Sequence, residues 1–197
     1  GVQAETARAK VVSAIRAAPE NARVDIYLAD RGDGSLGEPI FSKCNPGVPT
    51  ALDAAISDVE KKKHDYEQGY LAAVDETMAA VLQVEPAKTS PIIESLRSAA
   101  TRSFSRLAGD VPVRITLISD MVQNSPILKQ GSGVGDFDAF KKSAGWSSSL
   151  VDLHHARISI VYVTRANYRD VQSNGHINWW SQYFDEMNGA LLESEAI

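Results

Sequence analysis

The sequence has one cysteine, Cys44, so no internal disulfide can form and a small disulfide-stapled scaffold is excluded. The compartment stays open, with the cytoplasm favoured. No run approaches the roughly 20 consecutive apolar residues that a membrane-spanning helix requires, and the opening "GVQAETARAK" has no apolar signal-peptide segment. Basic residues are in the minority, 20 against 25 acidic, and the net charge of -5 gives no general attraction to nucleic acid or anionic membranes. H-E-x-x-H, G-x-S-x-G and P-loop motifs are missing, as are cysteines at zinc-ligand spacing. There are no repeats and no low-complexity tracts.

A hydrophobic share of 44% over 197 residues is enough for one sizeable core. Ala4, Ala7, Val11, Ala14, Ile15 and Ala18 recur at helical spacing and Pro19 follows, which predicts a helix from Val2 to Ala18. "VDIYLAD" (24–30) and "EPIFSKC" (38–44) flank the turn residues "RGDGSLG" and predict a hairpin, with Pro39 marking its second strand as an edge. A long helix is expected from Thr50 to about Gln83, with Gly69 as a point of interruption and Lys61, Lys62 and Lys63 on a solvated face beside Asp58. "KTSPIIESL" signals another helix start, with Thr89 or Ser90 as cap and Pro91 in the first turn.

"VRITLISD" (113–120) and "ARISIVYVT" (156–164) are continuous apolar runs, the pattern of strands buried on both faces of a parallel sheet. "DFDAFKKSAGW" reads as a short helix and His176 to Met187 as a longer one, ending where Asn188 and Gly189 suit a left-handed cap; "ALLESEAI" can begin a last strand. Trp179, Trp180, Tyr183 and Phe184 cover two faces of that helix, so part of the cluster is expected in the core and part at the surface. Strands alternating with helices predict a single α/β domain over 1–197, a three-layer α/β/α, Rossmann-like, mostly parallel sheet with one antiparallel edge strand.

"GDGSLG" has dinucleotide-fingerprint spacing, but strand residues follow it where a helix is needed, so it reads as a hairpin loop. The same stretch fails as a calcium loop because Phe41 stands at the bidentate Glu position. Adjacent His154 and His155 point in different directions and read as loop residues.

Asp120 ends an apolar strand, where ligands of open α/β sheets bind. Together with Thr89, Ser90, Asn124 and Ser125 it offers the oxygen donors a hard divalent cation takes, or a set of Asx and ST turns that satisfy backbone donors. A "KTSPI" loop opening a helix, then "ITLISD" and a polar turn, resembles the von Willebrand factor A-like domain, and "SDMVQNSP" and "CNPG" resemble a bacterial subgroup of it. The resemblance assigns Thr89 and Asp120 to a metal-ion-dependent adhesion site holding magnesium or another divalent cation. It also implies that a first strand ending in D-x-S-x-S precedes Gly1, so that the chain reads as an N-terminally truncated fragment. That strand would lie between "VDIYLAD" and "RITLISD" and keep them from pairing directly.

The function expected is a non-enzymatic module that binds a protein partner at the C-terminal rim of the sheet, through Ser90, Asn124, Ser125 and the glycine loop around Gly133. The alternative is a metal-assisted hydrolase using Asp120 with Asp30 or His155. A third reading is a structural subunit that assembles through a Trp179 and Trp180 surface.

Overall fold

The computed structural model describes residues 2–29, 32–50, 59–81, 89–104, 107 and 111–197. It is a mixed α/β structure with a two-stranded antiparallel sheet and a three-stranded parallel sheet. Two compact units divide the chain, Gly1–Leu28 with Gly37–Glu85, and Ala29–Leu36 with Pro86–Ile197.

In the first unit, α1 (Val2–Arg16) buries Val11 and Ile15, which lie four apart on one stripe. The predicted hairpin is present: β1 (Arg23–Ile26) pairs antiparallel with β2 (Phe41–Cys44), from Arg23 opposite Cys44 to Ile26 opposite Phe41. Pro39 lies before the pairing and interrupts nothing, because β2 begins at Phe41. The described part of the long helix comprises α2 (Val59–His64), a π-helical stretch Asp65–Leu71 and α3 (Ala72–Val81). Gly69 falls inside the π-helical stretch, the interruption that its weak helix propensity predicts. Tyr70, Val74 and Met78 form this unit's core with Val11, Ile15 and Phe41. Lys62 pairs with Glu20 at 2.9 Å, and its expected neighbour Asp58 lies outside the described residues.

The second unit is built on β3 (Arg114–Ser119), β4 (Ala156–Tyr162) and β5 (Gly189–Ala196) in the spatial order β3-β4-β5, all parallel. Helices α4 (Ile92–Phe104), α5 (Phe137–Lys141), α6 (Trp146–Ser149) and α7 (Asn174–Glu186) complete it. Alternation along β4 sends Ile158, Ile160 and Tyr162 into a core shared with Ile93, Leu96 and Ala100 of α4 and the aromatic residues of α7.

Two sequence expectations change here. β3 is partly buried on one face only, through Ile115 and Leu117; Arg114, Thr116 and Ile118 on the other face are exposed, with Ile118 at 40%. A continuous apolar run reports β-propensity as well as burial, and in β3 it reflects the former. Trp179, Trp180, Tyr183 and Phe184 are all buried, none more than 2% exposed. Phe137 and Phe140 of α5 meet Trp179 at 5.2 and 5.4 Å between ring centroids, so the flank of α7 expected at the surface is covered. The Trp179 and Trp180 assembly surface therefore does not exist.

β1 pairs with β2, and β3 with β4.

Candidate functional site

Asp120 lies at the C-terminal end of β3, where parallel strands aim their loops. The chain reverses just after it because Met121 adopts a left-handed backbone, φ 56°, unusual for a residue with a side chain. That turn is locked from both sides: Met121 N–H donates to Ser119 Oγ (3.0 Å) and Val122 N–H to Asp120 Oδ1 (3.0 Å), so the Asx-turn reading of this stretch applies. Asp120 is 8% exposed, and its other oxygen, Oδ2, takes the Nε of Arg165 at 2.7 Å. Gln172 braces the pair: its Oε1 accepts from Arg165 N–H (2.7 Å), and its Nε2 donates to Asp120 O (3.1 Å) and Val163 O (2.9 Å).

The turn then meets the loop before α4. Ser90 and Asn124 form an isolated antiparallel bridge, Asn124 N–H to Ser90 O at 2.9 Å and Ser90 N–H to Asn124 O at 3.3 Å. The two loops that the sequence singled out are thus neighbours, and Thr89, Ser90, Asp120, Asn124 and Ser125 belong to one rim. The cap of α4 comes from elsewhere than expected. Thr89 gives its hydroxyl to Gly32 O (3.3 Å), while Gln123 supplies Oε1 to Ile93 N–H (3.0 Å) in the first helical turn, where backbone donors lack an intrahelical partner. Gln123 Nε2 also donates to Glu94 Oε2 (2.9 Å) and Ser125 Oγ (2.8 Å). Ser125 is consequently buried and engaged inside the turn, and Gly133, in the left-handed region at φ 147°, is the exposed member of the expected partner-binding set.

Beneath the rim runs a polar network that sequence reading missed. His176, fully buried in α7, has Nδ1 at 2.6 Å from the Tyr162 hydroxyl and Nε2 at 3.2 Å from Gln130 Oε1. Gln130 Oε1 also accepts from Gln123 N–H (3.2 Å), and the Trp180 indole donates to Met121 O (2.9 Å). Trp180 Nε1 also lies 3.1 Å from His176 Nε2, so both ring nitrogens of His176 are held by polar neighbours. Gln130 Nε2 is buried without a hydrogen-bond partner among the described residues, and a buried donor left unpaired costs about 1–3 kcal/mol. The only sequence signal for this network was a histidine on the apolar side of an aromatic-rich helix.

Burial pushes His176 down to about 4, against the opposing pull of the Met121 backbone and the Asp120 charge. The Tyr162 hydroxyl is pushed up to about 12 by burial and by Asp120, so it stays a donor. Because the folded state holds His176 below its ordinary 6.5, the unfolded chain binds the extra proton more readily. The contribution of this residue is complete above about pH 6.5 and falls away as pH drops towards 4, at up to about 1.4 kcal/mol per pH unit. Urea midpoints followed across that range should drop more steeply for the native chain than for His176→Gln; equal slopes would remove His176 from the account.

The donors assigned to a divalent cation do not fit one as they stand. Both Asp120 oxygens accept from the protein, Thr89 is turned to Gly32, and among the described residues no three His, Cys, Asp or Glu side chains gather as a metal site. Of the two partners named for a hydrolase using Asp120, one lies among the described residues. His155 precedes β4 at the N-terminal end of the parallel sheet, a strand length from Asp120, and Asp30 lies outside the described residues.

The chain matches no family model, no curated protein and no solved structure. Among the described residues, no helix is long and apolar enough to cross a membrane.

Proposed function

We propose that the chain is a non-enzymatic binding module of the von Willebrand factor A-like class, which engages a protein partner at the C-terminal rim of its parallel sheet. In this reading its sheets belong to a three-layer α/β/α, Rossmann-like arrangement. The observation that carries the proposal is the Ser90–Asn124 bridge, which draws the loop before α4 and the turn after β3 into one rim. Buried Gln123 pins that rim to the start of α4, and the glycine loop from Gly131 to Gly135 continues it. A surface pre-shaped in this way loses little conformational entropy on binding. Magnesium or another divalent cation would reach Asp120 only after Arg165 leaves the carboxylate, and would gain Thr89 only if its hydroxyl turned away from Gly32.

Ser132 sits next to Gly133, is exposed, and forms none of the bonds that shape the turn. A partner retained by the native chain should be lost with Ser132→Arg, while the circular dichroism spectrum stays unchanged. A metal-supplemented panel of phosphoesters and carboxyl esters provides the contrary test. Turnover that disappears in Asp120→Ala would overturn the binding reading in favour of a hydrolase.

A further inference from the structure

Twice in the sequence an asparagine is followed by glycine, at Asn174–Gly175 and at Asn188–Gly189. Such a pair can react with itself: the glycine nitrogen, having lost its proton to solvent base, attacks the side-chain carbon Cγ, and the amide nitrogen leaves as ammonia. Glycine suits the step because no Cβ obstructs its nitrogen and its backbone turns freely. The structure holds the two pairs very differently.

Asn188–Gly189 is tied down. Asn188 Nδ2 donates to Asp152 Oδ1 (3.1 Å) and its N–H to Asp185 O (3.2 Å), while its carbonyl accepts from His155 N–H (2.8 Å). Gly189 opens β5 opposite Ala156, and a Cβ there would stand 3.0 Å from Ile158 Cδ1 and 3.1 Å from Leu153 Cδ1. The peptide joining the two residues cannot swing its nitrogen onto Cγ without breaking these contacts.

Asn174 and Gly175 are the first two residues of α7, and both are exposed. The leading N–H groups of a helix have no intrahelical partner, and among the described residues neither the Gly175 N–H nor the Asn174 side chain makes a hydrogen bond. Ser173, at the cap position, gives the turn no side-chain bond, because its hydroxyl goes back to Val171 O at 3.4 Å. With glycine, the poorest helix former after proline, as its second residue, this uncapped turn opens at little cost. A Cβ on Gly175 would meet only Ser173 Oγ, at 3.5 Å.

We propose that Asn174 is a self-modification site: the Gly175 nitrogen closes a cyclic imide on Cγ with loss of ammonia, and water then opens the ring. Water that cleaves the Cγ–N bond leaves aspartate. Water that cleaves the original peptide bond leaves the chain running through Cβ and Cγ, which is isoaspartate. Either product adds a negative charge to a chain already at -5. Aspartate suits the first turn of a helix, where the dipole favours an anion. Isoaspartate inserts an extra backbone atom two residues before His176, whose N–H bonds Ser173 O at 3.0 Å, and so loosens the turn that holds the ring against Tyr162 and Gln130.

The test is to hold the folded 197-residue chain in mildly alkaline buffer and follow the gain of one mass unit at each site. Trypsin leaves both pairs on a single fragment, Asp170 to Ile197, because no lysine or arginine follows Arg169, and tandem mass spectrometry of that fragment tells them apart. Asn174 should convert at least about tenfold faster than Asn188, which must first give up its hydrogen bonds. In urea the two rates should converge. Gly175→Ala should slow conversion of Asn174 about tenfold with an unchanged circular dichroism spectrum, since alanine obstructs the nitrogen and strengthens the helix. The isoaspartate-rich fraction, collected by ion exchange, should unfold at lower urea than Asn174→Asp.

Equal rates at the two sites of the folded chain would overturn the proposal, as would faster conversion at Asn188 or no conversion at Asn174 where the urea-unfolded chain reacts. An unchanged rate in Gly175→Ala would do the same, and so would an isoaspartate-rich fraction as stable as Asn174→Asp.

Discussion

Trp180→Ala should remove a large share of the stability of the second unit, a loss of about 3–5 kcal/mol where a whole domain holds about 5–15 kcal/mol. Trp180 is fully buried, and its ring centroid lies 5.3 Å from Trp179, 5.6 Å from Tyr183 and 5.7 Å from Phe184. Removing the indole opens a cavity among rigid rings that have few ways to collapse into it. It also strands the Met121 carbonyl, which accepts the indole N–H. Trp180→Phe separates the two contributions. Phenylalanine keeps most of the volume and loses the hydrogen bond, so it should cost about 1–3 kcal/mol. Urea denaturation of the two variants measures both; equal midpoints would mean that packing contributes far less than the buried rings imply.

Gln123→Leu is the second large effect, because it preserves bulk while removing a buried hub. The amide of Gln123 accepts from Ile93 N–H and donates to Glu94 and Ser125; Ser125 Oγ keeps the Ile127 N–H, while Ile93 N–H and the Glu94 carboxylate lose the Gln123 amide. Two polar groups left unsatisfied in a closed interior should cost about 2–4 kcal/mol. The damage should have a direction as well. Hydrogen exchange should accelerate at Ile93 and Asn124 before it does so in the middle of β4, since Gln123 ties the rim to α4 and has no part in the sheet ladder. Uniform acceleration would show that Gln123 contributes to global packing only.

How much of the fold is legible in the sequence depends on the range of the interactions involved. The β1–β2 hairpin, the stop after α1, the interruption at Gly69 and the left-handed Asn188, φ 60°, were all legible, since each depends on residues a few positions apart. The adjacency of the Ser90 and Asn124 loops was also foreseen, from the resemblance rather than from any local pattern. Arg165 escaped notice because nothing near "VTRAN" signals that its guanidinium reaches back to Asp120. Gln123 lies in the polar turn after β3, yet its amide caps a helix that begins far upstream, and Thr89, which has the right chemistry for that cap, bonds elsewhere. The exposed face of β3 was misread for the same reason: the apolar run fixes the extended backbone, and only the tertiary arrangement decides which faces are covered.

The order β3-β4-β5 sets a schedule for assembly. Neither outer strand has the other as a neighbour, so each depends on β4 for its ladder. A chain emerging from the ribosome presents "RITLIS" well before Ala156–Tyr162 has been synthesised, and during that interval the strand waits without β4, its ladder partner among the described residues. Parallel crossovers close slowly because a long intervening segment must be ordered first. The interval after β3 emerges is therefore when this protein is most exposed to misassociation, and the arrival of β4 ends it.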